Sequence, residues 1–542
     1  METGVVEEDK YILVGYIKPD SVGVNGSINI TAYIDTNNVA ISDTVSRIDN
    51  GNLIYGETSG EWIAGREVIT TEEWNALSST PLSFKVKVEA NEGIWVEEEK
   101  FYVLKNLYNI TDWTNIRANI SSIEFHKDGV VPENPVTTIN VTDITSSGPV
   151  TLYTIDDGLG NNTYKAIVVA DDTIYAPESS RYLFRGMSNL VTFNSNNFKV
   201  DNVTSMNGMF ALCTSLTNID SIASWNTQNV IDMNYMFRQC ESLENIDSLL
   251  NWKTHSVNKM MAIFRKCYNL KNVDGLLYWD TSNVTNMSSM FEECFNLLNV
   301  NGLVNWNIRN VKTTEFMFSK CEKITNLNGL ANWNTINVED MHNMFAYCYA
   351  LNNIDGLATW NIINAKDLAC MFSVTINLLD FNPLENWNTL NVTNMYGMFT
   401  FESTGVTKID DAVIDCSFLS KWNTSSVEDM SYMFHNVSIS SYLPFKKWNV
   451  SNVSNFQDMF NQTSASTVTT LTGLENWDVS SATNMNSMFF DNVSLTDASA
   501  INNWDINSNI DFTIMFGSTP VHPEFTKVSG TWDSGGTFTP NS

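Results

Sequence analysis

The stretch Trp279-Asp280-Thr281-Ser282-Asn283-Val284-Thr285-Asn286-Met287-Ser288-Ser289-Met290-Phe291 decides how this chain is read, because close variants of it recur down the sequence. Trp225, Trp252, Trp279, Trp306, Trp333, Trp360 and Trp387 follow one another at intervals of 27 residues, and Trp422, Trp448, Trp477 and Trp504 continue the series less regularly. A fixed period of that size marks a solenoid, in which each coil buries its apolar side only by stacking on its neighbours. Function is then to be sought on an extended surface rather than in a pocket.

Within one period two patterns alternate. Met287, Met290, Phe291 and Cys294 stand at i, i+3, i+4 and i+7, which predicts a short amphipathic helix with Thr285 as its N-cap. Lys271-Asn272-Val273-Asp274 predicts a very short strand with Val273 inward, a turn at Gly275, and Leu270 and Leu276 as flanking core. Twelve Met-Phe-type pairs align, from Met209-Phe210 to Met515-Phe516, with Ile263-Phe264 the one departure. The expected fold class is therefore an α/β repeat, a solenoid of about 12 coils with a short strand and a short helix in each.

Phe follows Trp by 12 residues in every aligned coil, whereas the stretch from Phe to the next Trp varies. Insertions are thus confined to one side, and the largest makes residues 400–421 a candidate contact loop. Cys213, Cys240, Cys267, Cys294, Cys321 and Cys348 recur every 27 residues, three after the Phe. That spacing reads as a ladder of small core residues, because zinc sites need close ligand pairs and disulfides need side chains that face each other. The Met, Phe and Trp columns read as core by the same logic.

With 61 acidic against 30 basic residues, the net charge is −31. That balance excludes nucleic-acid binding, which needs a basic stripe for the phosphates. No run of 18 apolar residues spans a membrane, so membrane insertion is not expected. Met1 to Asp9 shows neither a basic nor an apolar leader segment, and Thr539 to Ser542 shows no anchoring pattern, so no export signal is expected in this sequence.

Polar rows offer the candidate site. Asn218, Asn245, Asn272, Asn299, Asn326 and Asn353 precede the inward aliphatic residue, and Asp220, Asp247, Asp274, Asn301, Asn328 and Asp355 follow it. Period-two geometry puts both rows on the face opposite the core, stacked at roughly 4.8 Å. The Asn residues with Asp220, Asp247, Asp274 and Asp355 form the expected ligand strip, suited to hydroxyl-rich glycans or to cations. A second reading makes the Asn ladder and the Asp-Gly pairs backbone-bonding and turn chemistry. Ile336, Ile362, Ile363 and Leu390 are expected as exposed apolar contacts for a protein partner.

Other motifs carry less. The triplets at Asn202, Asn283 and Asn391 match glycosylation sequons, but the repeat itself calls for Thr there. Asp156 to Asn162 is read as a hairpin turn rather than a calcium loop. His126, His255, His342, His435 and His522 lack ligand or triad spacing. No catalytic residue, metal or cofactor is expected, and the chain is read as a non-enzyme.

The quoted repeat resembles the consensus of the BspA-like leucine-rich-repeat surface proteins, in their short-repeat branch. Upstream, Ile174-Tyr175-Ala176-Pro177-Glu178-Ser179-Ser180-Arg181-Tyr182-Leu183-Phe184 is similar to the segment leading into that family's first repeat. The resemblance covers about residues 117–517. It implies a leucine-rich-repeat solenoid in a non-enzymatic adhesion or recognition role at a cell surface, with matrix proteins or surface glycans as partners. The family's export signal and anchor have no counterpart visible in this sequence.

Residues 1–105 follow a different grammar. Ile28, Ile30 and Ala32 alternate with polar neighbours, as do Phe84, Val86 and Val88, and Ala90-Asn91-Glu92-Gly93 is expected to turn into Ile94-Trp95-Val96. An all-β mounting or oligomerisation domain is expected there. It is followed by a linker at 106–116, a β-rich cap at 117–183, the solenoid at 184–517 and a C-terminal cap at 518–542. The expected function is recognition of cell-surface polysaccharide or protein, in a bacterial adhesin or in a phage or tailocin receptor-binding protein whose residues 1–105 dock on the virion or form a homo-oligomer. A glycan-active module near the N-terminus and a purely structural spacer are the alternatives.

Overall fold

The computed structural model describes residues 100–401, 413–462 and 467–541, together with the backbone of six strands among residues 2–90. The chain divides into two units, Met1–Lys100 and Phe101–Ser542.

In the first unit, β1 (Glu2–Glu7), β2 (Lys10–Ile17) and β5 (Ile63–Thr70) form an antiparallel sheet in the order β1-β2-β5. A second antiparallel sheet has β3 (Ile28–Ile34) between β4 (Val39–Ala40) and β6 (Phe84–Ala90), with Ile30 opposite Val88 and Ala32 opposite Val86. The alternating residues are thus brought into one cross-strand register. The turn expected at residues 90–93 and the strand after it lie outside the described residues.

The first unit ends at Lys100, five residues before the end expected for the all-β domain. β7 (Tyr102–Val103) pairs in parallel with β12 (Ile174–Tyr175), which pairs with β14 (Phe198–Lys199). The expected linker at 106–116 is also corrected. Leu107–Asn109 is a 3-10 turn and Thr111–Ile116 is helix α1, with Leu107 and Trp113 fully buried. The polar residues Asn109, Thr111 and Asp112 mask a segment that the buried indole ties down.

A five-stranded sheet caps the array. Its order is β13 (Thr192–Phe193), β8 (Ile120–His126), β11 (Tyr164–Val169), β10 (Thr151–Asp156), β9 (Thr137–Asn140). The β10–β11 pair is antiparallel, and its connection at 157–163 is closed by Asp156 and Asp157, whose carboxylates accept from the N–H groups of Gly158 and Leu159 at 2.8 and 2.9 Å. Because β13 belongs to the first coil, the sheet runs directly into the solenoid, and Phe125 packs on Phe184, Phe193 and Phe198.

Among the described residues of the coils the expected helix is absent. Over residues 287–294 the N–H groups of Met287, Ser289, Phe291 and Glu293 donate to the carbonyls of Thr313, Glu315, Met317 and Ser319 in the next coil at 2.8–3.1 Å. Between them, the N–H groups of Glu292 and Cys294 close on the carbonyls of Ser289 and Phe291 at 3.1 Å. An eight-residue α-helix would leave four N–H and four C=O groups unpaired at its ends, whereas consecutive turns send alternate donors to the neighbouring coil. Two turns in succession still bring Met287, Met290, Phe291 and Cys294 to the same side, all fully buried, so the apolar spacing imitates a helix. Ser289 (φ 57°) and Glu293 (φ 61°) take left-handed geometry along this run.

The expected N-cap moves by one residue: Asn286 Oδ1, rather than Thr285, accepts the N–H of Ser288 at 2.8 Å. The expected strand shrinks to isolated parallel bridges such as Asn326–Asn353, followed by a 3-10 turn such as Asp274–Leu276. Gly275 sits where coils approach most closely, since a Cβ there would collide with the Ile246 carbonyl of the preceding coil. The result is a solenoid of turns, 3-10 segments and single bridges, and not the expected alternation of strand and α-helix.

Two aromatic columns fill it. Phe184, Phe210, Phe237, Phe264, Phe291 and Phe318 stack at 5.4–5.7 Å between successive ring centroids, and the column continues to Phe516. Trp306, Trp333, Trp360 and Trp387 stack at 6.0–6.4 Å with planes within 5° of parallel. Each buried ring of this kind contributes roughly 1.5–3 kcal/mol through removal from water. At the far end, Gly530–Trp532 and Phe538–Pro540 form a hairpin whose Trp532 and Phe538 cluster with Phe525, while Phe512 packs on Phe525 and Phe538.

Candidate binding surface

The aliphatic residue of each Asn-x-Asp/Asn triplet fixes the direction of its neighbours. Ile219, Ile246, Val273, Val300, Leu327 and Ile354 are buried, and the polar residues on either side lie at the surface or half-buried. Asn218, Asn245, Asn272, Asn299, Asn326 and Asn353 therefore share one face with Asp220, Asp247, Asp274 and Asp355.

Half of each amide is already in use. The Oδ1 atoms of Asn218, Asn245, Asn272, Asn299, Asn326 and Asn353 accept the N–H two residues on, at 2.6, 2.6, 3.1, 3.1, 3.3 and 3.1 Å. These bonds open the 3-10 turns that begin at Asp220, Asp247, Asp274, Asn301, Asn328 and Asp355. The Nδ2 groups differ along the row. Those of Asn218 and Asn353 donate to Asp220 and Asp355 at 2.9 and 2.8 Å, and that of Asn326 to Thr325 Oγ1 at 3.3 Å. Among the described residues, the Nδ2 groups of Asn245, Asn272 and Asn299 have no acceptor. The hydroxyl of Ser248 and the amide of Asn218 hold the Asp220 carboxyl below its ordinary range.

A different asparagine row, which the sequence reading passed over, is wholly structural. Asn283, Asn310, Asn337, Asn364 and Asn391 donate Nδ2 to backbone carbonyls of the preceding coil at 2.7–2.9 Å. The sequon-like triplets at Asn283 and Asn391 begin with members of this ladder. Its signal was present as the same period, but period alone cannot tell a spent amide from a free one.

The thiol column is likewise bonded. Cys240, Cys267, Cys294, Cys321 and Cys348 donate Sγ–H to Phe carbonyls one coil back at 3.2 Å, and Thr519 Oγ1 does the same to Phe489 at 2.8 Å. All six cysteines of the column are free thiols, and burial pushes those of Cys213 and Cys348 up to about 12.

Of the four apolar contacts expected, Ile362 is corrected: it is fully buried, occupying the place where Thr335 and Thr389 donate to the next coil's backbone. Ile336 and Ile363 are half-buried, and Leu390 is exposed. Residues 402–412 of the candidate contact loop lie outside the described residues. The remainder rejoins the array, where Val413–Ile414 pairs with Ser438–Ile439 and Phe418 stacks on Phe381.

Stacking also assembles a cluster that linear spacing hides. His342 Nδ1 lies 2.7 Å from Asp340 Oδ1 and 3.7 Å from Glu315 Oε2, the latter supplied by the preceding coil. The hydrogen bond to Asp340 raises the His342 pKa above its ordinary value. Shallow concavities lie beside the Trp column, one lined by Lys253, Thr254, His255, Tyr278 and Asp280 and another by Lys421, Asn423, Thr424 and Lys447. No helix among the described residues is long and apolar enough to cross a membrane.

Coils tied to one another by backbone, indole, thiol and amide bonds, with polar rows on one face, define a tandem-repeat solenoid protein. Six overlapping segments (178–299, 244–353, 271–379, 323–409, 377–467 and 407–532) match the family described as Mycoplasma protein of unknown function, DUF285. The chain belongs to that family. Neither a curated protein nor a solved structure matches it.

Proposed function

We propose that this is a non-enzymatic recognition protein whose solenoid displays the Asn/Asp strip to hydroxyl-rich glycans at a cell surface. The carrying observation is the row of unspent Nδ2 donors on Asn245, Asn272 and Asn299, each one coil from the next and flanked by exposed carboxylates on Asp247 and Asp274. Sugars offer paired hydroxyls, and rigidly spaced amides and carboxylates are suited to bind them without ordering cost on the protein side. The surface-adhesin setting, with a leucine-rich-repeat relationship to the BspA-like proteins, is the reading we favour over a phage or tailocin tail. The family's description names Mycoplasma, and that supports a cellular setting. In either setting, residues 1–105 are the mounting or oligomerisation part.

The test is binding of the full chain to intact bacterial cells and to their extracted polysaccharide. Saturable binding that a neutral polysaccharide fraction competes away is expected. Binding to cells that survives removal of surface glycan would overturn the glycan reading and turn the search to protein partners.

A further inference from the structure

A basic group stands outside the strip, on a chain whose net charge is −31. Arg117, Arg181 and Arg185 gather on Tyr108 and Tyr182 where the cap meets the first coil. The Arg117 guanidinium lies 5.3 Å from the Tyr108 ring centre, and that of Arg181 lies 4.7 Å from the Tyr182 ring centre. Arg185 covers both rings, at 5.8 and 4.8 Å, and the two rings are 5.1 Å apart.

The group is fixed in place. Asn106 Nδ2 donates to the carbonyls of Ser179 and Arg181 at 3.0 and 2.9 Å, which ties the Arg181 backbone to the cap. Gly208 makes room for the Tyr182 ring, which a Cβ at that position would strike.

Three of the chain's eight arginines are here. Among the described residues, no carboxylate reaches any of the three at ion-pair distance. By contrast Arg265, three coils along from the cluster, pairs with Glu292 at 2.8 Å. Among the described residues, the only hydrogen bonds from the three guanidinium groups are Arg181 Nη2 to Tyr182 Oη at 3.1 Å and Arg185 Nη1 to Tyr108 Oη at 3.3 Å. A guanidinium stacked on a ring face keeps its in-plane N–H fork available, and that fork matches a carboxylate in bidentate geometry. The surrounding negative field repels densely charged polymers over a Debye length of about 8–10 Å, so an isolated carboxylate on an otherwise neutral chain fits best.

We propose that Arg117, Arg181 and Arg185, held on Tyr108 and Tyr182, form a second binding site, separate from the Asn/Asp strip, that takes the carboxylate of an acidic polysaccharide. The site stands apart from the strip reading, because an acidic probe reports on it and a neutral one on the strip.

The experiment measures binding of the full chain to hyaluronan, a polymer of regularly spaced carboxylates, with neutral dextran and dextran sulfate in parallel. Hyaluronan is expected to bind, more weakly as salt rises, and dextran is not. The Arg181→Gln/Arg185→Gln double variant is expected to lose roughly tenfold or more in affinity while keeping the wild-type melting temperature. Arg181→Lys/Arg185→Lys, which keeps charge but not the fork, should fall between the two. The proposal is overturned by wild-type chain that ignores hyaluronan, by binding to dextran sulfate alone, or by a correctly folded Gln variant that binds hyaluronan as well as wild type.

Discussion

The indole Nε1 of Trp306 donates to the carbonyl oxygen of Leu276, one coil back, at 3.0 Å. The same bond recurs from Trp252 to Ile222, from Trp279 to Leu249 and, across the largest insertion, from Trp422 to Leu384, at 3.0–3.1 Å. The Trp column is therefore both packing and a spine of directed bonds. Tryptophan, rather than phenylalanine, holds the position because it can fill the volume and satisfy a carbonyl at once.

Replacement of Trp306 separates those two contributions. Trp306→Phe should cost about 2 kcal/mol, combining one hydrogen bond with the lost indole area, and Trp306→Ala about 3–5 kcal/mol through the cavity it leaves. Urea unfolding monitored by circular dichroism measures both. Equal stability of all three proteins would remove the indole from the core.

The buried thiols predict a chemical pattern. In the native protein near pH 8, Cys213, Cys240, Cys267, Cys294, Cys321 and Cys348 should fail to react with a thiol-specific disulfide reagent, and all should react in denaturant. Half-buried Cys370, whose thiol is pushed only to about 11, should be the first of the described cysteines modified as the structure loosens. Rapid native labelling of the column, located by mass spectrometry, would contradict its burial.

His342 supplies a pH signature. Its hydrogen bond to Asp340, with Asp367 and Glu315 close by, favours the imidazolium, so the folded pKa lies above the ordinary value of about 6.5. The protonated ring therefore contributes stability fully below the unfolded pKa, and that contribution disappears as pH rises through the folded one. A titration of the His342 ring protons by NMR should place its midpoint above that of His342 in unfolded protein, and Asp340→Asn should shift it downward. A midpoint at or below the unfolded value would refute the coupling.

Much of the fold was legible because burial follows side-chain period, and the period was visible. Trp306, Phe291 and Cys294 lie where their 27-residue spacing put them, in a stacked core. What period could not show was where backbone donors go. Met287 to Cys294 has the spacing of a helix, yet alternate N–H groups leave for the next coil, and only neighbours distant in sequence can provide that alternative. The same limit applies to the surface. Asn272 and Asn283 are equally periodic, but only the folded chain shows that Asn283 spends its Nδ2 on the His255 carbonyl while that of Asn272 is unspent. The Arg117, Arg181 and Arg185 group and the Glu315, Asp340 and His342 group were hidden for a related reason, since their members meet only through packing of the cap and stacking of the coils.

The asparagine strip offers the most direct test, because one substitution separates its structural oxygen from its free nitrogen. Asn272→Asp with Asn299→Asp keeps the Oδ1 atoms that accept from Asp274 and Asn301 and removes the outward Nδ2 donors. Measured side by side against cell-surface polysaccharide, the double variant should keep its melting temperature and lose roughly tenfold or more in affinity, as expected for two ligand hydrogen bonds. Unchanged affinity in the folded variant would contradict the account and leave the strip as scaffold alone.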